Sequence, residues 1–369
     1  MPPFDYLLVL ATLVLSVIGV VMVYTATRGP LLAQGEDPKT FLKKQGLFVV
    51  MGFIVMVVLA VFDYRRLEPL ATLAYWLIVL ALLGVFVVGS SAQGAARWYS
   101  FGPLQLQPSE FAVLALVLAI ASYCARRDEE GLAWRDVFRL LIMAGIPILL
   151  VLVQPDLGTA MIMIIVLLVM LAVAGLPIRI LVMLLVGTAL VVLVAVESGL
   201  LHKYQIARVT AFLNPNSTST NPYVKYAIYN LNEAKNAIGS GGIFGSGIGH
   251  GAQTNLGYVP EQQTDFIFTA VGEQLGFVGS VGVLSLLGII AWRVLRAAVR
   301  ARDTFGRLLC AGLFAFIAFS TFQNAGMTMG IMPITGIPLP FVSYGGTAVL
   351  VFFAAVGLAL SVGARRRHR

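Results

Sequence analysis

Long apolar runs separated by short polar breaks organise this chain. A membrane-spanning helix needs roughly 20 mostly apolar residues. Ten runs approach that length: 4–26, 44–62, 68–90, 108–124, 140–155, 157–175, 179–198, 264–292, 308–327 and 341–362. The fifth and sixth are short and abut at Gln154-Pro155-Asp156, where the proline predicts a turn between two spans. The eighth is long and is expected to begin with a partial helix outside the membrane. Between the seventh and eighth lies one long polar, glycine-rich stretch, 199–263. The pattern predicts an all-α polytopic membrane protein of about ten transmembrane helices, a single domain over 1–369, with its large loop between helices 7 and 8.

Composition agrees. The chain has 369 residues, 59% hydrophobic and only 11% charged, with a mean hydropathy of +0.90. A soluble domain is nearer half apolar and a quarter charged. The net charge of +8 is therefore read by position, as a statement about membrane orientation and not about nucleic acid. With both termini cytoplasmic, sixteen of the 25 Lys and Arg fall on the inside, among them Arg65, Arg126, Arg127, Arg293 and the tail from Arg365 to Arg369. The others fall in or beside outside loops, four of them in 199–263, which counts little because it is long. The tail reads as a stop signal or as a holdfast for anionic inner-leaflet lipid. The first run lacks the basic start and cleavage site of a secretory signal, so it is expected to stay as a span. Cys124 and Cys310 sit beside cytoplasmic arginines, where a disulfide is not expected. His202, His250 and His368 have no zinc-site spacing.

The inside loops are short and basic, so chemistry is expected at the outer face. Four elements there carry unusual residues. Arg97-Trp98 leads to Gln107-Pro108-Ser109-Glu110. Proline suits a first helical turn. Glu110 is then either a cap favoured by the helix dipole or a buried carboxylate, paired with a cation and lining a cavity. Gln154 to Thr159 reads as a turn with Asp156 as the N-cap of the next span. The loop 199–263 holds Arg208, Lys235 and a glycine-rich run from Ala237 to Gly251. That run has no GxxxxGK[ST] and no βαβ context. It could offer backbone amides to a pyrophosphate or act as a flexible re-entrant connection. The loop ends at Glu261 and Asp265, with Glu273 two turns further on. A carboxylate at the mouth of an apolar span is costly and is expected to have a task or a partner. Last, the segment Pro333 to Gly346 has three prolines and three glycines. Irregular backbone at membrane depth is tolerated only where protein or a wet cavity covers it, so this segment is expected to line a cavity.

In these motifs the chain resembles the SEDS family of bacterial shape and division proteins, RodA, FtsW and SpoVE. The resemblance covers essentially the whole chain. It rests on QPSE at 107–110, QPDLGT at 154–159, AIGSGG at 237–242, PEQQTDFIF at 260–268 and PITGIPLPFVSYGG at 333–346. AIGSGG, the stretch from Gly102-Pro103 to QPSE and the short N-terminus are more similar to RodA than to FtsW. Two positions depart from the family pattern. The basic residue often found three positions after the Glu of QPSE is here Val113. The glutamine–serine pair before AIGSGG is Glu233-Ala234, although Lys235 is kept. These departures put Arg97 or Lys235 forward as a cationic partner for Glu110.

The resemblance implies a peptidoglycan glycosyltransferase of the bacterial cytoplasmic membrane. It would polymerise lipid II, an undecaprenyl-pyrophosphate disaccharide-pentapeptide, at the outer face during cell elongation. Its partners would be a class B penicillin-binding protein, other cell-elongation membrane proteins and membrane lipid. Asp265 falls on the family's essential aspartate. The implied displacement is inverting, with Asp265 as base and Arg97, Arg208 and Lys235 as candidates for the pyrophosphate. Glu110, Glu261 and Ser343 would bind substrate or structure the cavity. A divalent cation, Mg or Mn, could assist. Two other classes stay open. A lipid II flippase would also use intramembrane carboxylates and broken helices, although no inverted repeat relates the two halves. A non-catalytic scaffold for the penicillin-binding protein would not need Asp265.

Overall fold

The structure, a computed structural model, describes residues 5–92, 95–101, 104–127, 132–197 and 202–365. Each apolar run becomes a helix, because in lipid the backbone must satisfy its own hydrogen bonds. These are α1 (Tyr6–Ala33), α2 (Thr40–Val61), α3 (Ala71–Val88), α4 (Pro108–Ala125), α5 (Trp134–Val153), α6 (Leu157–Val173) and α7 (Ile178–Glu197). After an outer segment come α11 (Ile267–Val299), α12 (Thr304–Met329) and α13 (Gly346–Ala364). Eight of the ten are long and apolar enough to cross a bilayer, and α6 and α7 are shorter apolar helices. The protein is a multi-pass membrane protein.

Helices α4, α12 and α13 form the centre and are buried along most of their length. Helices α2 and α3 turn Val50, Ile54, Val58, Leu73, Leu77 and Leu80 outward, where lipid covers them. Helices α2 and α13 pack through small residues. Gly52 lies against the Phe353 ring, Gly346 against Phe48, and Gly357 against the Met56 backbone. Missing side chains let helix backbones approach, which is how helices associate without a hydrophobic drive between them.

One end of the bundle is stitched by charge. Asp5 accepts from Leu8 N at 3.2 Å and pairs with Arg293 at 2.6 Å. Asp303 accepts from the Tyr64 hydroxyl at 2.6 Å and from Arg65 Nε at 3.1 Å. Asp63 faces Arg365 at 3.6 Å. These ties put both described ends on the same, arginine-rich face, which is cytoplasmic by the positive-inside rule. Cys124 and Cys310 are buried free thiols.

The outer face is more structured than the polar pattern suggested. After α3, β1 (Ser90–Ala92), β2 (Ala95–Phe101) and β3 (Leu104–Leu106) form an antiparallel sheet, with Ser90 opposite Trp98 and Tyr99 opposite Leu106. The stretch after α7 holds α8 (Lys203–Leu213), α9 (Pro222–Ser240) and the short α10 (Ala252–Leu256). Both longer helices are amphipathic. Helix α8 buries Ala207 and Ala211, and α9 buries Val224, Ala227, Leu231, Ala234 and Ala237, the spacing of one helical face.

Helix α11 breaks at Gly276, whose φ of 68° and ψ of −164° are not helical. The expected partial helix is present before the break, and it is buried inside the fold. A break leaves carbonyls and amides without helical partners. The glycine-rich run supplies them. Ser246 N and Gly247 N donate to Glu273 O and Gln274 O at 2.9 and 3.1 Å. Phe277 N and Val278 N donate to Gly242 O and Ile243 O at 2.9 and 3.1 Å. The run is thus a fitted plug for the broken helix, not a free connection. Glu273 also ties α10, which follows the run, to the break, accepting from Gln253 N at 2.8 Å and Thr254 N at 2.9 Å.

Candidate functional site

Asp265 ends the turn before the half-helix of α11, and its backbone is held from three sides. Asn324 Nδ2 donates to Asp265 O at 2.8 Å and to Ile337 O at 2.7 Å. The Ser343 hydroxyl donates to Thr264 O at 2.7 Å and accepts from Leu339 N at 2.7 Å. Tyr344 N donates to Gln263 O at 2.8 Å. The Pro-rich segment therefore packs against the Asp265 turn and fixes it by backbone contacts. Two non-glycine residues beside it, Glu261 and Phe341, take positive φ of 51° and 65°. Such backbone costs about 1–3 kcal/mol and persists where the surroundings impose it.

The Asp265 carboxylate is half-buried and accepts no hydrogen bond among the described residues. It faces Gly336, whose φ is +78°; a Cβ there would lie 3.1 Å from Asp265 Oδ2 and 3.6 Å from Arg208 Nη1. The glycine leaves room for carboxylate and guanidinium to share one small space without a direct ion pair. Burial pushes the Asp265 carboxyl up to about 6; Arg208 and, more weakly, Arg97 oppose this, while Glu261 and Asp156 add to it. Glu110 is 8% exposed in the first turn of α4, and its carboxylate has no hydrogen-bond partner among the described residues.

Asp156 is an N-cap, as expected. It accepts from Thr159 N at 3.1 Å and the Thr159 hydroxyl at 2.8 Å. It also holds QPSE in place, accepting from Gln107 Nε2 and the Ser109 hydroxyl, both at 3.1 Å.

The cations stand elsewhere than the carboxylates suggested. Arg97 donates to Gln154 O at 2.8 Å, Pro155 O at 2.7 Å and the Tyr204 hydroxyl at 2.9 Å. It clamps β2 to the α5–α6 turn and α8, and forms no ion pair with Glu110. Lys235 is exposed, with its ammonium against Gly330 at the C-terminal end of α12, where the helix dipole favours a cation. Arg208 is the cation beside Asp265. Its guanidinium lies over the Tyr204 ring, 5.6 Å from the centroid. Tyr204, Gly336 and Asn324 complete the site without any sequence signal that singled them out. No group of three His, Cys, Asp or Glu side chains is placed to hold a metal ion among the described residues.

The Tyr204 hydroxyl also donates to Pro155 O at 2.7 Å. Tyr204→Phe is expected to cost about 1–1.5 kcal/mol, because the bond to Pro155 O and the one from Arg97 are both lost while Arg97 keeps its two carbonyls. Arg97→Met should cost more, about 1.5–3 kcal/mol, because charge-assisted bonds are lost and two carbonyls are left short of donors. Thermal unfolding in detergent checks the order; an Arg97→Met protein melting at the wild-type temperature would refute the clamp.

A family model described as FTSW_RODA_SPOVE, cell cycle protein, matches residues 5–368. The chain belongs to this family. Among relatives within it, a probable peptidoglycan glycosyltransferase FtsW of Geobacter sp. (strain M18) is 35% identical over 99% of this chain and 98% of its own. The peptidoglycan glycosyltransferase MrdB of Escherichia coli (strain K12) is 37% identical over 91% of this chain and 88% of its own. A solved structure described as "Structural coordination of polymerization and crosslinking by a peptidoglycan synthase complex" superposes with a TM-score of 0.81 at 31% identity, covering 98% of both chains.

Proposed function

We propose that this protein is a peptidoglycan glycosyltransferase that joins lipid II units at the outer face of the bacterial cytoplasmic membrane, with Asp265 as the base. The observation that carries this is the placement of Asp265. It is a half-buried carboxylate on a locked backbone, raised toward neutrality and set beside one guanidinium. Relatives named as peptidoglycan glycosyltransferases support the activity.

The reaction follows from those parts. The acceptor sugar hydroxyl attacks the anomeric carbon of the donor, and Asp265 takes its proton as the new C–O bond forms. The bond from that carbon to the pyrophosphate oxygen breaks, and the lipid pyrophosphate leaves with the electron pair. Arg208 is in place to stabilise its growing charge. Arg97 and Ser343 position backbone, and Lys235 stands off at α12. Asp156 accepts four hydrogen bonds from Gln107, Ser109 and Thr159 and so acts as a structural cap.

The partner is proposed to be a class B penicillin-binding protein, in line with the synthase-complex structure that this fold matches. The role is proposed to be in elongation, on the RodA-like motifs. Restoration of rod shape in cells depleted of their own RodA tests that, and rescue of division alone would overturn it.

Purified protein in detergent with labelled lipid II separates the classes. Glycan strands are expected. A flippase or a scaffold would leave lipid II unchanged, since flipping has no meaning without a bilayer. The acid side of the rate profile should follow Asp265. The base works only when deprotonated, so the rate is expected to fall as pH drops through about 6. Arg208 holds the carboxylate charged, so Arg208→Gln should move that limb to higher pH. Lys235→Gln should leave it in place. A limb that stays fixed in Arg208→Gln would remove Arg208 from the site.

A further inference from the structure

We propose that a groove in the cytoplasmic half of the bundle, between α3, α4 and α5, binds a phospholipid with an anionic headgroup. The three helices enclose a cavity of about 360 Å³ that lies on the opposite face from Asp265. Its walls are apolar, with Trp76, Ala119, Ile142 and Met143 among them, and its cytoplasmic end holds Arg126 and Arg139. The Tyr75 hydroxyl donates to Met143 O at 2.9 Å, tying α3 to α5 along the groove.

Depth, access and charge agree on the occupant. From Arg139 to the deepest lining residue, Ile146, is two helical turns, about 10 Å. The groove thus runs from headgroup level into the acyl region. It opens sideways to lipid, since Trp76 and Ile142 are 51% and 48% exposed. The lining is mostly apolar, with the hydroxyls of Thr72, Tyr75, Ser122 and Tyr123 as its polar groups, so in a bilayer an acyl chain fills it better than water does. At the mouth, Arg126 is exposed and has no side-chain partner among the described residues. Arg139 is 58% exposed and weakly held, with Nη1 3.8 Å from Asp136 Oδ1 and donating to the Tyr123 hydroxyl at 3.5 Å. That carboxylate already accepts from the Tyr123 hydroxyl at 2.7 Å and Ala133 N at 3.1 Å. The Arg126 fork, and the Nε and Nη2 groups that Arg139 does not use on Tyr123 and Asp136, face the headgroup layer, and their planar geometry suits phosphate oxygens. Basic pockets between helices on the cytoplasmic side recognise anionic headgroups on this ground.

The test is lipid retention. The full-length protein is reconstituted in phosphatidylcholine nanodiscs with phosphatidylglycerol as the minor lipid. It is then extracted into detergent, and retained lipid is counted by native mass spectrometry. Phosphatidylglycerol is expected to be enriched over phosphatidylcholine. The double variant Arg126→Gln/Arg139→Gln should reduce that enrichment by up to roughly thirtyfold, the product of about fivefold for each arginine. Both arginines are exposed, so this variant should melt as the wild type does. Filling the groove with Ala119→Phe should lower retention of both lipids. No enrichment in the wild type would overturn the proposal. So would enrichment that survives the double variant, or that is lost when the tail arginines Arg365, Arg366, Arg367 and Arg369 are changed to Gln instead.

Discussion

Asp265→Asn is expected to lower glycan-strand synthesis by roughly 100- to 10,000-fold, the usual contribution of a positioned general base, with folding and lipid II binding retained. The amide has the shape of the carboxylate and cannot take a proton. The site loses little else, because no side chain or backbone donor is bonded to the carboxylate among the described residues. Burial already disfavours the charged form, so the neutral amide should melt at or slightly above the wild-type temperature. Asp265→Glu is the informative companion. It keeps the acid but moves it by one methylene from a position held by Asn324 and Ser343, and misplacement by about 1 Å can cost 100-fold. Labelled lipid II resolved on gels reads both variants. Near-normal strands from pure Asp265→Asn protein would end the assignment.

The second large effect is expected at the broken helix, and it should be graded. Gly276→Ala combines φ +68° with a Cβ 2.2 Å from Gly245 N. Backbone strain of about 1–3 kcal/mol adds to overpacking of about 1–3 kcal/mol, so the loss should be several kcal/mol, or no folded protein. Gly242→Ala has φ +56° and open space around it, leaving strain alone, about 1–2 kcal/mol. Gly239→Ala meets nothing within 4 Å and lies inside α9; it should be neutral or stabilising by up to about 1 kcal/mol. Thermal melts of the three variants in one detergent give the series. Equal melting of Gly276→Ala and Gly239→Ala would show that the plug contributes nothing.

These cases show what a sequence exposes. The ten spans were legible because the bilayer asks only for length and apolarity. Asp156 as a cap was legible because capping is local. Helices α8 and α9 were hidden within a polar stretch, although Val224, Ala227, Leu231 and Ala234 carry the 3–4 spacing that could have revealed α9. The sheet of β1, β2 and β3 was not expected from strands of three to seven residues. The glycine run could not be interpreted alone, because its partner is a break more than twenty residues further on. Arg97 misled for a chemical reason. With Val113 in place of the family's basic residue, Arg97 looks like a substitute partner for Glu110, but its fork fits the Gln154 and Pro155 carbonyl oxygens instead.

The α2–α13 seam sets a timetable for biogenesis. The Ser361 hydroxyl donates to Phe62 O across 299 positions of sequence, and Gln45 Nε2 donates to Ser343 O across 298. At roughly 5–20 residues per second, α2 waits about 15–60 s in the bilayer before its neighbour is made. The wait costs little along most of its length, since lipid covers Phe48, Gly52 and Met56 as well as α13 does. In the interval Gln45 waits for Ser343 O at one end, and the Val61 and Phe62 carbonyls wait for Arg365 and Ser361 at the other. The ring of helices therefore closes last at its two ends, and a ribosome stalled before α13 would leave a chain that is inserted but still open.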